Sequence, residues 1–223
     1  TQLGAIMDNM KKAEHMGIPM CQDTGIPVFY VRGRFDSSIA SQIASGVERA
    51  TREIPLRPNT VDPITRENPG LNLGKGMPII HYIPTDDDFT EITVLPKGAG
   101  SENMTRLGML NPADGVEGIK RFIIDSVLDA GGRPCPPTII GVGIGGTFDK
   151  AALLAKKALM RPIDSSHPDP FYADLEVEML EKINELGIGP QGFGGLTTAL
   201  AVNIEKCPTH IAGLPCAVNI NCH

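Results

Sequence analysis

Cys21, Gln22 and Asp23 occupy consecutive positions in the stretch MCQDTGIPVFYV, residues 20–31. A thiol, an amide and a carboxylate side by side offer a soft ligand, a hydrogen-bond donor and a proton acceptor. A turn leading into a strand needs only Asp23, Thr24 and Gly25, because Asp caps the turn and Gly takes positive φ. The Cys-Gln pair is surplus to that need and points to a reactive site. Against it stands the plainer reading that Gln22 and Asp23 brace the turn. A second thiol, Cys135, lies in GGRPCPPT. Prolines on both sides remove two N–H donors and fix the local backbone, which would aim the sulfur in a preset direction. A third constellation, CPTHIAGLPCAVNINCH, holds Cys207, His210, Cys216, Cys222 and His223. Zinc is one candidate, but the chain has no C-x-x-C pair, which weakens a structural zinc site. Thiolates far apart in sequence and meeting in space suit an iron–sulfur cluster with one iron left open.

Two glycine-rich stretches carry their own readings. In GVGIGG, Gly141, Gly143 and Gly146 match G-x-G-x-x-G between a strand and a helix, the pattern of a dinucleotide site. That fold wants a second strand ending in an acid about 20 residues on. Asp164 has the spacing, but only Arg161-Pro162-Ile163 precedes it, which is no buried strand. A tight turn where backbone closely approaches a neighbour is the better reading. LPKGAGSENMT lacks the glycines-then-Lys order of a phosphate loop. Backbone N–H groups around Gly98 and Gly100, beside Lys97, would suit a carboxylate, with an ordinary turn as the equal alternative.

These residues must be held by a body of ordinary globular composition, 41% hydrophobic and 21% charged over 223 residues, enough for one large domain or two small lobes. The absence of Trp leaves little for base stacking, and a net charge of -6 argues against a nucleic-acid surface. Five widely spread cysteines, with no signal peptide and no apolar span of membrane length, point to a reduced cytoplasmic setting and no membrane partner. Thr1 and His223 read as trimmed ends of a longer polypeptide.

Helical spacing of Leu3, Ile6, Met7 and Met10 predicts a helix over 2–16, stopped by Gly17. Ser37 or Ser38 can cap a second helix with the stripe Ile39, Ile43, Val47 and Ile54, ended by Pro55. The 56–76 segment is aperiodic and rich in Pro, Asn and Gly; it reads as functional or mobile loop and as the place where two lobes would separate. PIIHYI and TEITVL predict strands, 113–129 a helix, TIIGVGIGG a buried strand entering a helix, and FYADLEVEMLEKINELG another helix. GPQGFGG reads as loop, and LTTALAVNIE and PCAVNINC as strands. Strands and helices do not alternate strictly, so the expected class is α+β, with mixed, largely antiparallel short sheets surrounded by helices.

In this order, CQDTGIPVF, LPKGAGSEN, PCPPTIIGVGIGG and HIAGLPCAVNINC resemble the α subunit of iron–sulfur hydro-lyases, the class I fumarase and L-tartrate dehydratase family. The resemblance covers essentially the whole chain, and the four motifs together are highly specific. It implies a [4Fe-4S] cluster held by three cysteines, in a single cluster-binding catalytic domain over 1–223. Carried over position by position, the ligands are Cys21, Cys135 and Cys222, with Cys216 a plain core position and Cys207 without a matching role. Gln22, Asp23, Arg57 and His210 would contact substrate, and Gly98 and Gly100 would offer backbone donors. Arg66 lies in the same irregular loop as Arg57 and competes with it.

The chemistry implied is reversible addition or removal of water on a small dicarboxylate, fumarate/malate or tartrate. An open iron serves as Lewis acid, Asp23 orients or exchanges a proton, and Arg57 pairs with the far carboxylate. A β subunit would complete the site, and the chain would form a homodimer or a heterotetramer. The rival of another class is a cluster-holding or sensing protein without turnover; a nicotinamide oxidoreductase is more distant.

Overall fold

The structure is a computed structural model and describes every residue except Phe35. It divides into two compact units, Leu3–Ala99 and Gly100–His223. The 56–76 segment lies inside the first unit, so the division falls elsewhere than the loop composition suggested.

In the first unit, α1 (Gln2–Met16) starts where the Thr1 hydroxyl accepts from the Gly4 N–H, and it ends at Gly17 in the left-handed conformation, φ 62°. Only Ala13 of this helix is buried. The central strand β1 (Ile26–Gly33) pairs parallel with β2 (Ile79–Pro84) and antiparallel with β3 (Glu91–Lys97). Alternation along β1 puts Phe29 and Val31 on one face, where Ile43 and Val47 of α2 (Ile39–Glu53) cover them. The helix starts after Ser38, as the sequence predicts, and stops one residue short of Ile54.

A helical turn, α3 (Ala99–Glu102), leads into the second unit. Its sheet runs in the order β4-β7-β5-β6, from strands β4 (Arg106–Leu110), β5 (Thr138–Gly146), β6 (Ala199–Thr209) and β7 (Leu214–Cys222). β5 is parallel to β6, and β7 is antiparallel to both β4 and β5. Each sheet is therefore mixed, with helices packed against it: the α+β class the sequence pattern predicts. β4 was not expected from the sequence.

Three helices of this unit are α4 (Gly115–Ala130), α5 (Phe148–Ala158) and α6 (Pro170–Glu185). Ile123, Met179 and Ile183 from α4 and α6 bury fully against Ile140, Val142 and Ile204. Each such side chain contributes about 1.5–3 kcal/mol relative to exposure. The glycines of GVGIGG serve this packing. A Cβ on Gly141 would stand 2.2 Å from the Ala155 carbonyl oxygen, and one on Gly143 would stand 2.0 Å from that of Ala151. Helix α5 thus lies directly on the backbone of β5, and the close-approach reading of the motif accounts for it.

Candidate active site

The loop before β1 is built around Asp23. Its Oδ2 accepts from the Ala99 N–H at 2.7 Å, and its Oδ1 accepts from the Gly25 N–H at 3.0 Å. Asn59 donates to the Gly25 carbonyl at 3.0 Å, with a longer contact to Asp23 Oδ1. Thr24 Oγ1 receives the Arg57 N–H at 3.1 Å and lies 3.3 Å from the Arg57 carbonyl. Segment 57–59 is therefore fastened to segment 23–25, which brings Arg57 to the Cys-Gln-Asp turn. Arg66 lies in a separate tight turn, where its N–H donates to the Asp62 carbonyl. Gly25 has no substitute here: at φ 77°, a Cβ would come within 2.9 Å of the Lys97 backbone. Cys21 and Gln22 are exposed just ahead of this braced turn.

The LPKGAGSEN stretch closes the same turn. Lys97 and Gly98 are buried, and the Ala99 N–H is committed to Asp23 rather than open to a ligand. Gly100 is exposed at the start of the second unit. Within that unit Glu102 is held by Lys156 and by Asn219 Nδ2 at 2.8 Å, which pins the end of the stretch to β7 and α5.

Cys135 stands in the left-handed region at φ 55°, a conformation that costs a side-chain-bearing residue about 1–2 kcal/mol. Strain of this kind persists where the surroundings over-determine it, and it clusters at functional sites. The surroundings are specific. His223 Nδ1 donates to the Cys135 carbonyl at 3.1 Å. The next carbonyl, that of Pro136, receives the Gln191 N–H at 2.7 Å. The register sets Cys222 beside Thr138, the first residue of β5. Cys135 and Cys222 therefore share one end of the sheet, the first exposed and the second half-buried. Gln191 was not singled out in the sequence; its partner is 55 residues away and its own loop carries no motif.

The other two thiols differ. Cys216 is fully buried in mid-strand β7, and burial pushes its thiol up to about 12. Cys207 is half-buried on β6, packed where Gly146 leaves room for its sulfur. No disulfide forms among the described residues. Brief alkylation of the native chain at pH 8 should therefore modify Cys21 and Cys135 and leave Cys216 untouched until unfolding. Peptide mass spectrometry checks this; rapid labelling of Cys216 would contradict its placement in the core.

His210 lies at the opposite end. It occupies the exposed turn between β6 and β7, where its Nδ1 accepts from the Ala212 N–H at 3.1 Å. From Leu214 to Cys222 the strand β7 spans about 25 Å at the ordinary rise per residue. The structure does not bring His210 to the Cys135–Cys222 end. Among the described residues no three His, Cys, Asp or Glu side chains are gathered as for a single metal ion.

The second unit thus carries an exposed and a half-buried thiol at one sheet end, and the first unit carries a braced carboxylate that follows an exposed thiol in sequence. The chain belongs to the fumarate hydratase (Fumerase) family, whose profile matches residues 1–223. It is 50% identical over 228 residues to the putative L(+)-tartrate dehydratase subunit alpha of Methanocaldococcus jannaschii, spanning 99% of this chain and 80% of that protein. It is 39% identical over 223 residues to the L(+)-tartrate dehydratase subunit alpha of Escherichia coli K12, spanning 97% of this chain and 73% of that protein.

Proposed function

We propose that this chain is the cluster-bearing α subunit of a hydro-lyase that adds or removes water on a small dicarboxylate. The family supports fumarate/malate as substrate, and the names of the relatives support L(+)-tartrate. The observation that carries a catalytic over a purely structural reading is Cys135, an exposed thiol kept at a strained φ of 55° beside the strand end that holds Cys222.

Thiolates are the donors an iron–sulfur cluster requires, and strain that aims an exposed sulfur fits a ligand better than a core residue. Cys21, Cys135 and Cys222 would hold a [4Fe-4S] cluster. When bound, it supplies a Lewis-acidic iron that makes the substrate hydroxyl a better leaving group. Asp23, fixed by the N–H groups of Gly25 and Ala99, presents a carboxylate of set orientation for proton exchange at the carbon next to a substrate carboxylate. Arg57, anchored through its backbone to Thr24, pairs bidentately with the far carboxylate and fixes the register. Gln22 donates to substrate from the exposed side of the turn, and the segment around Gly98 and Gly100 adds polar backbone.

A β subunit completes the site, in keeping with the alpha designation of the relatives. The His210 hairpin and Cys222 sit at opposite ends of β7, which supports a substrate contact by His210 made from a second copy of the chain. The assembly is thus a homodimer of this chain or a heterotetramer with β subunits. We place it in the cytoplasm on the strength of its unbridged cysteines. No described helix is long and apolar enough to cross a membrane.

The test is anaerobic loading with iron and sulfide in the presence of the cognate β chain, followed by hydration and dehydration assays on fumarate, malate and tartrate. A loaded complex that turns over none of them would leave the non-catalytic, cluster-sensing reading. Cys135→Gly adds a readout independent of turnover. Glycine tolerates the left-handed backbone, so the unloaded variant should be as stable as the parent or more stable, by up to ~1 kcal/mol, while failing to retain iron. Full iron retention by Cys135→Gly would remove this residue from the ligand set.

A further inference from the structure

The loop between α6 and β6 carries the run GPQGFGG at 189–195 and takes no part in the chemistry above. Its inner side is locked to the Cys135 segment. Gln191, itself at φ 57°, sends both its backbone N–H (2.7 Å) and its side-chain amide (3.4 Å) to the Pro136 carbonyl. Gly192 and Gly132 meet backbone to backbone: a Cβ on Gly192 would stand 2.7 Å from the Gly132 Cα. The Gly194 N–H closes the loop on the Ile188 carbonyl at 2.8 Å. The outer side chains therefore project from a pinned frame.

Those side chains are Phe193, 75% exposed, and Leu196, 87% exposed. Single exposed apolar residues are ordinary on a protein surface. Two large ones within four positions, on a rigid loop bonded to the segment of a proposed metal ligand, have the makeup of an interface anchor. Aromatic and aliphatic anchors carry most of the energy of an interface, and a frame that is already ordered loses little entropy on binding.

We propose that Phe193 and Leu196 form the anchor on which the β chain seats at the Cys135 end of the sheet. The inference rests on the two-chain reading above and adds to it the surface used. The β chain, rather than a second copy, is the occupant because the loop is continuous with the thiol end that the β chain has to close. On the same reading a second copy would contact the His210 hairpin, which lies at the other end of β7.

The experiment measures binding of the full chain to its cognate β chain by titration calorimetry, with sedimentation of the α chain alone alongside. The double variant Phe193→Ser/Leu196→Ser should weaken binding about a hundredfold or more. Its melting temperature should match the parent, since both side chains are exposed. Val177→Ser, 57% exposed on α6, should leave the affinity unchanged. Equal affinity of the double variant and the parent overturns the anchor while the two-chain reading stands. Loss of self-association in the double variant, with β binding intact, makes the loop a homotypic contact and overturns it as well. A parent chain that binds no β chain overturns the two-chain reading itself, and the anchor with it.

Discussion

Replacing Asp23 by Asn should lower kcat by roughly 10²–10⁴-fold in the reconstituted enzyme while iron content stays at the parental level. Both carboxylate oxygens of Asp23 accept backbone N–H groups, from Ala99 and from Gly25. Asparagine keeps one acceptor, so its oxygen can hold the shorter bond to Ala99. Its amide then faces the Gly25 N–H and loses that bond. The turn survives, because Asn59 still holds the Gly25 carbonyl and Thr24 still holds Arg57. What disappears is the negative charge and the proton acceptor. Turnover should be normalised to iron and compared with the parent. A fall in iron retention with turnover per loaded chain near the parental value would make Asp23 a brace and end its catalytic assignment.

The second large effect concerns stability. Glu176, 6% exposed, accepts from Arg161 at 2.6 and 3.3 Å, from the Ile204 N–H at 2.7 Å and from the His167 N–H at 3.0 Å. One carboxylate thus ties α6 to β6 and to the loop that joins α5 to α6. Glu176→Ala leaves the Arg161 guanidinium without its counter-charge and two backbone donors without acceptors. The expected loss is about 3–5 kcal/mol, the usual cost of breaking a buried pair by removing one partner. Urea unfolding of the full chain measures it. A loss below about 1 kcal/mol would mean that water enters and replaces the carboxylate. Surface pairs such as Arg49–Glu53 are expected to contribute far less.

The helices were legible because their apolar residues recur at helical spacing and end at Gly or Pro, as with Ile39, Ile43 and Val47 before Pro55. Strand β5 was legible as an unbroken apolar run, and the turn before β1 as a set of residues with more chemistry than a turn needs. Strand β4 was not: RLGML is short and follows a glycine-rich turn, and β7 pairs with it from far along the chain. The division after Ala99 left no compositional trace, since LPKGAGSEN looks like one motif yet straddles it. Nor could the sequence separate His210 from Cys222. Their spacing of twelve residues suits a compact loop as well as a straight strand, and only pairing with β5 shows the strand. Gln191 was hidden for the same reason, because its meaning comes from a carbonyl on another segment.

β7, the last strand described, does not lie at an edge of its sheet; it enters between β4 and β5. During synthesis β4 and β5 emerge long before their shared neighbour, and Arg106 waits on the order of a hundred residues for Val218. Until then the ribosome presents two strands with unsatisfied inner edges, a state prone to wrong pairing. The thiol end of this sheet therefore closes only once β7 has emerged. Cys135 gains its His223 contact, and Cys222 its place beside Thr138, only when β7 pairs with β5, so a group held by both thiols would have to bind after β7 has emerged.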